Sequence, residues 1–453
     1  MDPRTLIVGV ALSAAPVAGF AAGSDDLQAL SRQIEQLKQD YQQRISALEA
    51  RLKKAEAQAR EAQTRAAQAE QTATEAANGP AARLPATANA FNPSIGVILD
   101  GKARYNSANV SAFRIPGFSL PDEAAVGTDG VSLGESELNF YANVDDKFYG
   151  SLTTALAEEN GSTTASVEEA YLQTLALPAG LGLKAGRFFS NIGYLNPTHT
   201  HADDFADRPL PYRVFLNKQF GDDGVQLRWI APASLLIELS GELLRGASYP
   251  AGGASDNGKG MWTVSGHVGG DAGPSNSWRA GLSYLSAKAD GRETGDPAAP
   301  DLFSGDSDLW IADFVWKWAP DANPYTHNFK LQGEYMRRGR HGRFSPAGGA
   351  ALPLNASQDG FYVQGVYQFM PQWRVGLRYA QLDAGNPGPA FAGTSLDTRG
   401  HIPRDLSAML DWSNSEFSRI RLQYNRDESA LVPDNQLVLQ YIMSLGAHGA
   451  HQF

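Results

Sequence analysis

The chain has 453 residues, a formal net charge of −11 and no cysteine. The missing thiols exclude disulfides, thiol catalysis and cysteine-ligated metals, and the acidic balance offers no basic surface for nucleic acid. Beyond the first residues there is no apolar run of about eighteen, which excludes spanning helices and leaves a closed β-barrel as the route into a bilayer.

Residues 1–23 carry one Arg, an apolar run (LIVGVALSAA) and small residues at Ala21, Ala22 and Gly23, the pattern of a secretory signal peptide. Residues 24–77 place Leu30, Ile34, Leu37, Tyr41, Ile45, Leu48 and Leu52, then a series of alanines, at steps of three and four. That spacing predicts an α-helical coiled coil with one stutter, its Leu/Ile half carrying the association and its alanine half stabilising little. A single solvated helix is the other reading, but Leu and Ile on the seam of a lone helix would gain nothing in water. Residues 78–90 (NGPAARLPATANA) hold two prolines and no periodicity, and read as a linker.

From residue 91 to 453 the pattern changes to period two. Val225, Leu227 and Trp229 alternate with Gln226 and Arg228; Trp373, Val375, Leu377 and Tyr379 alternate with Arg374, Gly376 and Arg378. Segments of about ten residues with one apolar and one polar face are membrane-barrel strands with lipid outside and water inside. Sixteen such segments can be placed: 92–106, 134–145, 148–159, 166–177, 181–190, 221–231, 235–246, 261–270, 277–289, 308–319, 327–339, 358–370, 373–383, 404–413, 417–428 and 436–446. Short joins such as Pro371-Gln372 alternate with longer ones, as in outer-membrane barrels, and the even count puts both barrel ends at the short-turn side. Phe453 shares the parity of the outward Leu437, Leu439 and Tyr441, and Trp278, Trp318, Trp373 and Trp412 recur near strand ends as aromatic girdles do. The predicted fold is all-β: a 16-stranded antiparallel transmembrane β-barrel preceded by an N-terminal coiled coil.

Sixteen strands enclose a lumen wide enough for an aqueous channel. The join 191–220, with Pro197, Pro209 and Pro211 stiffening it, is long for a structureless loop and therefore a functional candidate. At this point the chain resembles general and phosphate-selective trimeric porins, whose third loop folds into the barrel and narrows the pore; the N-terminal coiled coil resembles that of certain sugar porins. FNPSIGVILDG (91–101), LKAGRFFSNIGYLN (183–196), FGDDGVQLRW (220–229), GVYQFMPQWRVGLRY (365–379) and DWSNSEFSRIRLQYNRD (411–427) are similar to a proteobacterial family of porin-like outer-membrane proteins. Its members are loosely labelled zinc-regulated receptors dependent on TonB. A receptor of that kind needs about 22 strands and a plug domain, whereas this chain has room for sixteen strands and a coiled coil.

Taking the polar parity as inward, the strand residues Lys184, Arg228, Arg279, Lys317, Lys330, Arg374, Arg378, Arg419 and Arg421 line the pore, facing Glu137, Glu238, Glu242, Asp313, Glu334 and Asp411. Arg208, Arg213 and Lys218 add charge from the loop. A strip of guanidinium groups on strands thirteen and fifteen attracts anions; cross-strand pairing with acids that merely holds the barrel's shape is the competing reading. In the loop, His199, His201, Asp203, Asp204 and Asp207 are candidate ligands for a divalent cation such as Zn²⁺, against acidic residues that simply face basic ones across the pore. No nucleophile-elbow sequence occurs, so no enzyme is expected; His448 and His451 belong to the closing strand or its rim.

These readings converge on a bacterial outer-membrane porin, its N-terminal segment in the periplasm, passing small hydrophilic solutes with a mild anion preference. Its expected partners are outer-membrane lipid, small ions or solutes, and its own copies in a trimer joined through coiled coil and barrel walls; no cofactor is required, Zn²⁺ being the one candidate. A zinc-linked uptake protein and an envelope tether are the alternatives.

Overall fold

A computed structural model describes residues 93–446, except 110–112, 160–161 and 255–259, together with Lys38, Gln39 and Ser46, which are helical. The chain divides into two units, Met1–Asn89 and Ala90–Phe453. The expected signal peptide, nearly all of the coiled coil, the linker, His448, His451 and Phe453 lie outside the described residues.

In the second unit, sixteen antiparallel strands form one closed barrel. They are β1 (Ser94–Asn106), β2 (Ser136–Asn143), β3 (Phe148–Glu159), β4 (Ser162–Thr174), β5 (Leu181–Phe189), β6 (Gly221–Ile230), β7 (Leu236–Leu244) and β8 (Met261–Asp271). The second half runs β9 (Asn276–Asp296), β10 (Ala299–Trp318), β11 (Asn328–Ser345), β12 (Leu352–Met370), β13 (Trp373–Asp383), β14 (Arg404–Ser415), β15 (Ser418–Glu428) and β16 (Asp434–Gly446). The ring shuts where β1 pairs with β16, from Gly96 opposite Gly446 to Asn106 opposite Gln436. Two short pieces, Gly130–Leu133 beside β1 and Gly252–Gly253 beside β9, join the same sheet.

Closure removes every sheet edge, and the outward positions form the lipid-facing belt: Leu282 is 55% and Leu377 65% exposed, while Ser283 and Arg378 beside them are buried inside. Trp373 and Trp412, paired across β13 and β14 with ring centroids 6.3 Å apart, mark the short-turn rim of that belt. No described helix is long and apolar enough to cross a membrane.

Two departures from simple alternation matter. Strands β9 to β12 run on far beyond the segments 277–289, 308–319, 327–339 and 358–370, so the expected loops there are tall hairpins. Above the lipid both faces of a strand meet water, and period two fades from a stretch such as GRETGDPAAPDLFSGD. Strand β4 begins four residues earlier than expected and carries a bulge: Thr153 of β3 stands opposite Glu169, but Thr154 stands opposite Val167. Glu168 is the extra residue, and the bulge turns two consecutive glutamates into the lumen, where their side chains are 10% and 11% exposed.

Candidate functional site

The loop 191–220 lies inside the barrel and is fastened to walls on opposite sides. Its base is closed by Asn196, whose amide donates to the carbonyls of Ser190 and Phe220 (both 2.8 Å) and accepts from the Phe220 N–H (2.8 Å). Glu242 on β7 accepts from the Asn191 N–H (2.9 Å) and from Ser190 Oγ. Glu334 on β11 accepts from the Tyr194 and Leu195 N–H groups (both 3.1 Å) and from the hydroxyls of Tyr212 (2.9 Å) and Tyr362 (2.6 Å). Gly193 makes that approach possible: its φ is +63°, and a Cβ there would sit 2.3 Å from a Glu334 carboxylate oxygen.

Beyond the base the loop's aspartates meet the arginines of β13 and β15. Arg374 donates to Asp204 (2.9 Å) and to Asp411, Lys330 pairs with Asp204, and Arg378 donates to Asp207 (2.5 Å). Arg421 donates to Asp411 (2.8 Å) and to the Asp203 carbonyl (2.7 Å), and Arg419 to the same carbonyl (3.2 Å). Burial alone would raise the Asp204 and Asp207 carboxyls; Lys330 and Arg374 on the first, Arg378 and Arg104 on the second, more than offset it and hold both below the usual carboxylate range. The arginine strip is therefore paired, and the loop itself supplies much of its counter-charge.

The loop's histidines go to a different wall. His201 Nδ1 lies 2.7 Å from Glu137 on β2, and His199 lies 3.2 Å from Glu137, 3.5 Å from Glu168 and 3.1 Å from Glu169. Burial would lower the His199 imidazole, but the carboxylates of Glu137, Glu168 and Glu169 prevail and raise its pKa well above the ordinary value. The five residues singled out as possible metal ligands are thus divided, two histidines on a glutamate wall and three aspartates on or near an arginine wall.

After the aspartates the chain enters helix α1 (Leu210–Phe215), started by Pro211 in its first turn, where no amide hydrogen is needed, and stopped by Asn217 and Lys218 at φ +50° and +68°. Its Tyr212, Val214 and Phe215 are fully buried against Leu382, Tyr362 and Met336 of the barrel and Phe118 of the first long loop. Such burial contributes about 1.5–3 kcal/mol for each large apolar side chain. Arg208 is buried within the loop, donating to the Leu195 carbonyl (2.8 Å) and paired with Asp203 (2.6 Å). Arg213 donates to the Ala124 carbonyl (2.9 Å), and Lys218, 42% exposed, stands 4.0 Å from Glu123.

On the short-turn side of the loop lie two cavities. One, about 440 Å³, is bordered by His199, His201, Glu137, Glu169, Lys184 and Arg228. The other, about 530 Å³, is bordered by Lys317, Lys330, Arg374 and Asp204. Arg228 and Arg279 have no ion-pair partner among the described residues; Arg279 stacks over Tyr194 at 5.7 Å and Lys184 over Tyr171 at 4.4 Å. Sequence reasoning missed Glu168, Glu169 and the lumen tyrosines Tyr141, Tyr149 and Tyr171. The tyrosines and Glu169, which shares the parity of Tyr171, were legible by parity, whereas Glu168 was hidden by the bulge.

A closed antiparallel barrel of sixteen strands with an apolar outer belt and a long loop folded inside it has the architecture of a transmembrane β-barrel. No family model matches the chain. A protein of Aquifex aeolicus (strain VF5), described as uncharacterized, is 31% identical over 403 residues, which is 82% of this chain and 81% of that protein, and the chain belongs to its family. Among solved structures, a loop-L8 deletion mutant of OmpT, an outer membrane protein of Vibrio cholerae, is 12% identical with a TM-score of 0.49 over 78% of this chain and 99% of that one. The outer membrane channel DcaP of Acinetobacter baumannii is 14% identical (TM-score 0.48; 78% and 97% covered), and an anion-selective porin from Comamonas acidovorans 11% (TM-score 0.47; 78% and 99% covered).

Proposed function

We propose that this protein is a passive channel for small hydrophilic solutes across the bacterial outer membrane, with the loop 191–220 setting its constriction. The observation that carries the reading is the loop's attachment to opposite walls, from Glu137 and Glu169 to Arg374, Arg378 and Arg421, so that a solute crossing the lumen must pass it. A mild anion preference rests on Lys184, Arg228 and Arg279, below the loop, rather than on the paired arginines; cationic walls of low dielectric concentrate anions. In this reading the N-terminal segment is periplasmic and the protein a trimer.

The test is the zero-current potential of the purified protein in a planar bilayer across a KCl gradient. A chloride-favouring potential, reduced in the Arg228→Gln/Arg279→Gln variant, supports the reading; a cation-favouring potential removes the anion preference. Deleting residues 198–207 is expected to raise single-channel conductance, and unchanged conductance would mean that the loop does not set the constriction.

A further inference from the structure

We propose that Glu137, His199 and His201 form a binding site for one divalent transition-metal cation, the junction at which the constriction loop is tied to β2. One nitrogen from each histidine and one oxygen of Glu137 lie within 4.8 Å of one another, a spread that small side-chain movements close to the ligand separations of a tetrahedral ion with bonds of about 2.0–2.2 Å. Two imidazoles and a carboxylate are a donor set for Zn²⁺, Co²⁺ or Ni²⁺ rather than for Ca²⁺ or Mg²⁺, which take oxygen ligands.

A second observation concerns the same spot. Glu137 Oε2, Glu168 Oε2 and His199 Nδ1 are buried and make no hydrogen bond of sound geometry, yet His199 Nδ1 faces both oxygens, at 3.2 and 3.5 Å. Buried polar atoms without a well-aligned hydrogen bond are costly, and a cation seated between these three would satisfy all of them at once. A cation there would take His199 through Nδ1, leaving Nε2–H to donate to Glu169 at 3.1 Å. That is the carboxylate–histidine–metal arrangement, which fixes the ring and its tautomer. Glu168, brought inward by the bulge in β4, places Oε2 3.5 Å from His199 Nδ1, beside this three-residue donor set. The adjoining cavity of about 440 Å³, which His199, His201 and Glu137 border, supplies the entry path. The aspartates of the same loop take no part, being engaged with Arg374, Arg378, Lys330 and Arg208.

The inference does not rest on the channel reading, because binding is measured without current. The full-length protein, folded in detergent and stripped with a chelator, is titrated with ZnCl₂ by calorimetry and with CoCl₂ by visible absorption. The expected result is one Zn²⁺ per chain at micromolar affinity or tighter, with Co²⁺ bands of tetrahedral intensity. His199→Ala/His201→Ala should weaken binding by on the order of a hundredfold or more, and Glu169→Gln by about 10–100-fold, with one-to-one stoichiometry kept. His448→Ala/His451→Ala, the control for histidines elsewhere in the chain, should bind as the parent does. Resistance of each folded variant to SDS at room temperature establishes that its barrel is intact. No saturable binding by the folded parent, or binding kept in the first double variant and lost in the control, overturns the site.

Discussion

The loop 191–220 meets two walls that differ in charge balance. On the β13–β15 side, aspartates and arginines alternate until each wall guanidinium has an acidic or carbonyl partner: Asp411 alone accepts from Arg374 and Arg421, and Asp204 takes both Arg374 and Lys330. On the β2–β4 side, Glu135, Glu137, Glu168 and Glu169 crowd around two histidines and Thr200, which donates to Glu135 at 2.7 Å. One wall matches each of its guanidinium groups with an acceptor, whereas the other has carboxylates in excess of its cations. A saturated ion network fixes a loop in place, and an unsaturated one is able to take up a further cation.

The largest test of this contrast is Asp411→Ala. It takes from Arg374 and Arg421 the buried carboxylate they share, for which a loss of about 3–5 kcal/mol is expected, read as a lower urea midpoint for barrel unfolding in vesicles. A shift smaller than about 1 kcal/mol would show that the arginine wall is not held as a network.

Next comes Glu334→Gln, which keeps the shape but replaces one acceptor oxygen by a donor facing the Tyr194 and Leu195 amides and two tyrosine hydroxyls. A cost of about 1–3 kcal/mol falls on the loop's base. Higher and noisier single-channel conductance should accompany it, with faster proteolysis between residues 198 and 218. In metal-free buffer Glu168→Gln should do the opposite, being neutral or stabilising by up to about 1 kcal/mol because it takes one ionisable carboxyl out of a crowded group of glutamates. Clear destabilisation by Glu168→Gln would erase the distinction between the walls.

The effect of pH on the arginine wall follows from Asp207. Its carboxyl is held below the ordinary value, so the stabilisation it gives is fully present above about pH 4 and is lost as pH falls through the lowered native pKa. Taking the pH below about 4 should therefore change conductance and its fluctuations, and Asp207→Asn should remove that part of the acid response. Smallest of all is Lys218→Ala: the side chain is exposed and its contact to Glu123 is 4.0 Å long, so stability should stay within about 0.5 kcal/mol by the same denaturation measurement.

The barrel was legible because lipid on one face and water on the other force alternation; the sixteen segments and their inward residues could be placed from Val225–Trp229 and its counterparts alone. The height of β9 to β12 was not legible, since above the bilayer both faces meet water. Within the loop, residue types revealed that His199, His201 and the three aspartates matter, but their partners on the barrel wall are 30 to 218 residues away along the chain, and no local pattern says which wall each will meet. Glu168 was hidden for a different reason: strict alternation assigns one of two adjacent glutamates to lipid, and only the register shift opposite Thr153 and Thr154 brings both inside.

That register shift makes one stretch of β4 unusually sensitive to length rather than to composition. Removing a single codon at position 167 or 168 would restore unbroken pairing with β3 while withdrawing a carboxylate from the histidines, without altering any residue of the loop. Homologues are therefore able to gain or lose this corner of the lumen by a one-residue insertion or deletion, and an alignment scored by substitutions alone would pass over the change.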